Sequence, residues 1–67
     1  MLLTLREWRR AKEISQTEMA TMLKVHPQTY MKWEKDPEKI SWGKAVEISE
    51  ILGISINDIS FATKGKA

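Results

Sequence analysis

A chain of 67 residues with a net charge of +2 is expected to form one small domain. Its hydrophobic content of 42% is too high for a disordered chain, and the lack of cysteine excludes a disulfide framework and a thiolate metal site. No apolar run approaches the length of about 20 residues that a membrane-spanning helix needs, and the N-terminus lacks a signal-peptide layout. We therefore expect a cytoplasmic protein with no membrane association.

Positive charge is concentrated in the first half of the chain. Residues 1–35 hold seven Lys or Arg against four Glu, whereas residues 36–67 hold four Lys against five acidic residues. Basic residues gathered on one face attract a polyanion such as nucleic acid. Charge alone favours the plainer interpretation, an ordinary solvated surface.

The first three helix starts are marked by residue spacing. Thr4 with Glu7, and Ser15 with Glu18, have the spacing of a capping box, in which the hydroxyl accepts from the third helical amide and the Glu reaches back. Pro27 suits the first turn of a helix, where its missing N–H is not needed. These signals predict helices over residues 4–12, 16–23 and 27–35.

Two further helices are predicted in the second half. Ser41 can cap a helix over residues 42–52, and Gly53 suits its C-terminal end. Ser55 with Asp58 repeats the capping spacing before a short fifth helix over residues 56–61. No segment shows strand alternation, so the predicted fold class is all-α, a compact five-helix bundle over residues 1–61 with a flexible tail at 62–67.

Tryptophan and the apolar faces supply the expected core. The three Trp residues are interpreted as buried or half-buried, because each shares a helix face with other apolar residues. On the fourth helix that face carries Trp42, Ala45, Ile48, Ser49 and Leu52. An aromatic ligand box is the weaker interpretation.

The third predicted helix has two different sides. At about 100° per residue, Tyr30 and Trp33 lie on one side, and four residues lie within about 100° of each other opposite them: Gln28, Met31, Lys32 and Lys35. A Gln side chain can bond adenine in two places, and a Lys can reach guanine or a phosphate. The pattern fits DNA contact, although a solvated face has the same spacing.

Three segments, LREWRRAKEISQTEMA, LKVHPQTYMKWE and AVEISEILGIS, together resemble one known family. This is the phage repressor and Cro type of helix-turn-helix protein, also called the Xre type, and the similarity covers roughly residues 4–60. It implies a lambda-repressor-like DNA-binding domain whose helix over residues 27–35 enters the major groove. In scale the chain resembles a stand-alone Cro-like or prophage regulator.

The resemblance also implies a role for particular positions. Gln16 would contact a DNA phosphate, the first residues of the recognition helix would meet base edges, and Arg9 would pair with Glu34. The DNA-contacting residues that it implies are Gln16, Pro27, Gln28, Thr29, Lys32, Lys35, Lys39 and Trp42. Two further residues are added from the pattern itself: Lys24 as a cation in the turn, and Met31 because it shares the polar face of the third helix. Dimer contacts would involve Ile56, Asn57, Asp58 and Ile59.

The chain departs from the family where glycine is usual. Those positions hold Glu13, Lys24 and Asp36, and a non-Gly residue in a left-handed conformation costs about 1–2 kcal/mol. His26 replaces the small residue that usually precedes the recognition helix. These departures bear on stability more than on function.

The expected function is therefore sequence-specific DNA binding by a transcriptional regulator, acting as a homodimer on a double-stranded operator. The sequence offers no nucleophile with a base, no phosphate loop and no metal cluster, so we expect neither an enzyme nor a cofactor. The alternative is a protein-interaction module on the same fold, an antitoxin or a modulator of a repressor, with a protein partner in place of DNA. An orphan helical bundle is supported by composition alone.

Overall fold

Four α-helices and one short pair of parallel strands form the fold of residues 2–61. A computed structural model describes residues 2–61; the predicted tail at 62–67 lies outside the described residues. In chain order the elements are β1 Leu3–Thr4, α1 Leu5–Ala11, α2 Gln16–Leu23, α3 Pro27–Lys35, α4 Trp42–Leu52 and β2 Ile59–Ser60, with 3₁₀ turns at Pro37–Lys39 and Ile56–Asp58. The predicted helical character is confirmed, and the predicted count of five helices is wrong.

The two predicted capping boxes are present at the starts of α1 and α2. Thr4 accepts from the N–H of Glu7 at 3.2 Å, and the Glu7 carboxylate accepts from the N–H of Thr4 at 2.8 Å. Ser15 and Glu18 make the equivalent bonds at 3.0 and 2.8 Å, and they lower the pKa of Glu18 below its ordinary value. Each box satisfies two amides that a helix start leaves unpaired.

The predicted fifth helix is replaced by a 3₁₀ turn and a strand. Ser55 accepts from the N–H of Asn57, two residues on, and not from that of Asp58 as a capping box would require. The chain then extends, so that Leu3 lies beside Ile59 in the parallel pairing of β1 with β2. Strand pairing and a bond from Trp8 Nε1 to the Asp58 carbonyl at 2.7 Å satisfy backbone groups that a fifth helix would have paired internally.

The core lies between all four helices and β2. Its buried members are Leu5, Met19, Ala20, Leu23, Tyr30, Ile48, Leu52 and Ile59, with Trp8 and Trp33 packed partly buried against them. Trp42 is a correction to the sequence-based expectation, because its side chain is 72% exposed. Trp42 is the first residue of α4, and the apolar face becomes buried only from Ala45 onward.

No helix within residues 2–61 is long and apolar enough to cross a membrane.

Candidate nucleic-acid interface

The turn between α2 and α3 is built around a left-handed residue. Lys24 has φ 59° and ψ 42°, and its N–H bonds the carbonyls of Ala20 and Thr21 at the end of α2. The neighbouring Leu23 carbonyl accepts from Lys44 Nζ at 2.9 Å, which ties α4 to this turn. Ala20 is fully buried, so its small side chain lets α2 and α3 approach closely. The chain therefore reverses sharply and presents α3 beside α2.

Histidine caps the start of α3. His26 Nδ1 accepts a hydrogen bond from the N–H of Gln28 at 3.1 Å, and Pro27 occupies the first helical position. His26 therefore supplies the acceptor that a Ser or Asp would usually supply at this position. The start of α3 is well defined despite the unusual residue.

The inner side of α3 is held by a buried ion pair. Arg9 Nε donates to Glu34 Oε2 at 2.5 Å, and the two side chains are only 11% and 4% exposed. Arg9 Nη1 also donates to the Ile14 carbonyl at 2.8 Å. Gln16 Nε2 donates to the other oxygen of Glu34 at 2.9 Å. One carboxylate thus connects the end of α3 to both α1 and the start of α2.

Hydrogen bonding controls the ionisation of this cluster. Burial alone would raise the pKa of Glu34, but the hydrogen bond and charge of Arg9, with the neighbouring Tyr30 hydroxyl and the bond from Gln16, outweigh it and hold the pKa below its ordinary value. The Tyr30 hydroxyl is buried close to Glu34 and Arg9 but has no hydrogen-bond partner within residues 2–61. Burial, with the adjacent carboxylate, raises the pKa of Tyr30 far above its usual range. Glu34 therefore stays ionised and Tyr30 stays neutral at physiological pH.

The outer side of α3 is exposed to solvent. Gln28, Thr29, Lys32 and Lys35 are exposed, and Met31 is 42% exposed. Within residues 2–61, the side chains of these residues make no hydrogen bond or ion pair. One amide, one hydroxyl and two ammonium groups are therefore available to a ligand along one helix face.

The remaining predicted DNA-contacting residues belong to α3 itself and to the elements that precede and follow it in the chain. Lys24 is exposed in the turn, and Pro27 is half-buried. Gln16 is half-buried and already shares one amide hydrogen with Glu34. Lys39 forms a loose pair with Asp36 at 3.7 Å, with its side chain 75% exposed. An exposed pair of this kind contributes little stability, so Lys39 can turn toward another partner.

The residues expected at a dimer contact are not equally accessible. Asn57 is exposed, whereas Ile56 and Asp58 are half-buried. Ile59 is 4% exposed and belongs to the core, where it pairs through its backbone with β1. A dimer formed here would use Asn57 and the accessible parts of Ile56 and Asp58.

Two arginines beside the interface had no predicted role. Arg6 and Arg10 border the same cleft as Gln16, Met31 and Lys35. Their spacing of four residues was the available signal, because it places them on one face of α1. What that face meets depends on the packing of α1 against α3.

The sequence pattern of a helix-turn-helix protein family matches residues 5–59, which is most of the chain. The chain belongs to the Cro-type helix-turn-helix family. This family comprises DNA-binding regulators and not enzymes. No curated protein of similar sequence was found. Within residues 2–61 no group of three or more His, Cys, Asp or Glu side chains is placed to hold a metal ion.

Proposed function

We propose that this helix-turn-helix protein is a sequence-specific transcriptional regulator, repressor or Cro-like, that reads operator DNA with the outer side of α3. The observation that carries the proposal is the contrast across α3. Its inner side is fixed by the Arg9–Glu34 pair, and its outer side presents Gln28 and Lys32 without partners in the described chain. A rigid helix with free polar groups on one face suits the major groove, which is wide enough to admit it.

Base reading would rest on two residues. Gln28 can bond adenine N6 and N7 together, and Lys32 can reach guanine O6 or N7. Pro27 offers only apolar contact, such as a thymine methyl group. The sugar-phosphate backbone would be contacted by Lys24, Thr29, Lys35, Lys39 and Trp42. Met31 lies on the same helix face as the two base-reading residues.

Gln16 would contact a phosphate from the first turn of α2. Its amide nitrogen carries two hydrogens, and Glu34 accepts one of them. The other remains for a DNA phosphate, and the bond to Glu34 orients it in advance.

The regulator would bind as a homodimer on a two-fold operator. Two recognition helices about 34 Å apart would enter successive major grooves on one side of the DNA. We place the dimer contact near the 3₁₀ turn that contains Ile56, Asn57 and Asp58.

Selection of bound duplexes from a random pool tests the proposal. We expect an enriched pseudo-palindrome with half-sites one helical turn apart, whose affinity falls steeply with salt as phosphate counterions are released. Gel shifts on the selected and scrambled duplexes then measure specificity. Absence of any retarded DNA at low salt would overturn the proposal.

One observation favours a second candidate, a protein-interaction module on the same fold. Trp42 is 72% exposed and borders an apolar cleft lined also by Ile40, Ala45 and Phe61. Exposed aromatic side chains are common at protein interfaces. A tight protein partner recovered together with no DNA retardation would favour this candidate.

A further inference from the structure

A cleft between α1 and α3 adjoins the outer side of the recognition helix. Its volume is about 620 Å³. Met31 and Lys35 line it from α3, and Gln16 lines it from the first position of α2. The proposed DNA-contacting surface therefore continues into this cleft.

Arginines from α1 form the opposite wall. Arg6 and Arg10 both line the cleft and are exposed. Within residues 2–61, neither side chain has a hydrogen-bond or ion-pair partner, and the same holds for Lys35. Arg9 also lines the cleft, but Glu34 neutralises it.

The cleft carries a net positive charge. Four cationic side chains line it against two carboxylates, those of Glu34 and Glu7. The Glu34 carboxylate is occupied by Arg9 and Gln16, and the Glu7 carboxylate accepts from the N–H of Thr4 at 2.8 Å. The unpaired cations therefore face a cleft whose acids are already engaged.

We propose that a phosphate of the DNA backbone, next to the one that Gln16 contacts, occupies this cleft and is held by Arg6, Arg10 and Lys35. The inference rests on the proposed function and extends it beyond the helix-turn-helix to α1. A guanidinium group can bond a phosphate with two parallel N–H donors, which fixes position as well as adding affinity. Such a contact sets the register of α3 on the duplex and carries no base preference.

Salt-dependent DNA binding by alanine variants tests the proposal. Arg6→Ala and Arg10→Ala each remove one charge from the cleft, and neither breaks a bond within residues 2–61. Lys12→Ala is the matched control, because Lys12 is an exposed cation at the end of α1 that does not line the cleft. Fluorescence anisotropy with the selected operator and with a scrambled duplex, at several chloride concentrations, gives the affinity and its salt slope.

We expect the slope of log K against log salt to fall by about one for each arginine removed. Operator and scrambled duplex should lose affinity by the same factor, so their ratio stays constant. Arg10→Lys should recover most of the slope, while Lys12→Ala should leave it near the wild-type value. If Arg10→Ala and Lys12→Ala change the salt slope equally, the effect comes from the net charge of the protein and not from the cleft, and the proposal is overturned.

A second arm separates the DNA backbone from a free anion as the source of the phosphate. Inorganic phosphate replaces chloride at constant ionic strength, and its binding to the free protein is measured by calorimetry. Phosphate is expected to compete, so it should lower the operator affinity of the wild type more than that of Arg10→Ala. If phosphate binds the wild type but not Arg10→Ala and yet leaves the operator affinity unchanged, the cleft holds a free anion and the proposal fails. If the wild-type protein binds no DNA, both the proposed function and the cleft proposal fail. If the wild type binds DNA and its salt slope equals that of Arg6→Ala and Arg10→Ala, only the cleft proposal fails.

Discussion

The two sides of α3 perform different physical tasks with similar residue types. On the inner side, the charge of Glu34 is buried, paired with Arg9 and bonded to Gln16. On the outer side, Lys32 and Lys35 are exposed and without partners in the described chain. A charge inside the protein must be paired to be tolerated, whereas a charge outside is free for a ligand. The inner side therefore fixes α3 against α1 and α2, and the outer side stays exposed to solvent.

Removing the buried carboxylate tests the orienting side and should have the largest effect. Glu34→Ala leaves the Arg9 guanidinium buried with only the Ile14 carbonyl, so we expect the free energy of unfolding to fall by about 3–5 kcal/mol. Urea denaturation followed by tryptophan fluorescence measures it. The control is Glu50→Ala, whose exposed side chain makes no bond within residues 2–61 and whose loss should change stability by less than about 0.5 kcal/mol. Equal losses of unfolding free energy in the two variants would show that the Arg9–Glu34 pair does not stabilise the position of α3.

Removing an amide from the outer side should affect binding and spare the fold. Gln28→Ala is expected to cost about 1–3 kcal/mol on the selected operator and little on scrambled DNA. Stability should stay near wild type, since the Gln28 side chain has no partner within residues 2–61. Anisotropy titrations on both duplexes measure the difference. A loss of the same size on both would refute base reading by Gln28.

The backbone at the turns before α2 and α3 offers a smaller test. Glu13 and Lys24 have φ of 57° and 59°, whereas Asp36 has φ of −137°. Glycine relieves strain only in the left-handed region, so Glu13→Gly and Lys24→Gly should each raise the free energy of unfolding by about 1 kcal/mol.

Asp36→Gly is the internal control for that pair. Its backbone lies outside the left-handed region, so glycine relieves no strain there. It adds freedom to the unfolded chain and removes the weak pair with Lys39, and both effects should lower stability. Lys24→Gly should also weaken DNA binding, because it removes a cation near the proposed interface, while Glu13→Gly should not. Thermal unfolding of the three variants measures the stabilities; the same sign in all three would contradict the strain at Glu13 and Lys24.

Lowering the pH should gradually weaken the interaction of Glu34 with Arg9 on the inner side of α3. Because the folded state lowers the pKa of Glu34 below the ordinary value of 4.5, its contribution is complete above that pH and is lost as the pH falls further. The free energy of unfolding should therefore decline below about pH 5 in the wild type, and decline less steeply in Glu34→Gln. Urea titrations from pH 7 to pH 3 compare the slopes. If the unfolding free energy of wild type and Glu34→Gln falls with the same slope, protonation of Glu34 does not contribute to the pH dependence of stability.

Local signals were sufficient for most of the helices. The predicted ranges 16–23, 27–35 and 42–52 coincide with α2, α3 and α4, because a cap and the bonds it makes lie within a few residues of each other. The left-handed Lys24 and the half-buried Trp8 and Trp33 also agree with the expectation. The family resemblance correctly indicated a DNA-binding regulator.

Distant contacts account for the errors. The fifth helix was predicted from a local cap, but Leu3 and Trp8, more than 45 residues away in sequence, hold that segment as a turn and a strand. Trp42 was expected in the core from its helical spacing, yet it extends past the end of the packed face. Neither outcome can be derived from spacing within a single element.

The sequence by itself determined the ranges of α2, α3 and α4, the capping boxes of α1 and α2, and the family to which the chain belongs. The ranges and caps follow from interactions between residues close together in the chain, and the family follows from the residue pattern. Only the tertiary structure decided that Glu34 joins Arg9 to Gln16, that residues 56–60 form a turn and a strand, and that Arg6 and Arg10 line a cleft beside α3. These depend on how α1, α3 and the C-terminal segment pack, because their partners lie far apart in sequence and meet only in the folded chain.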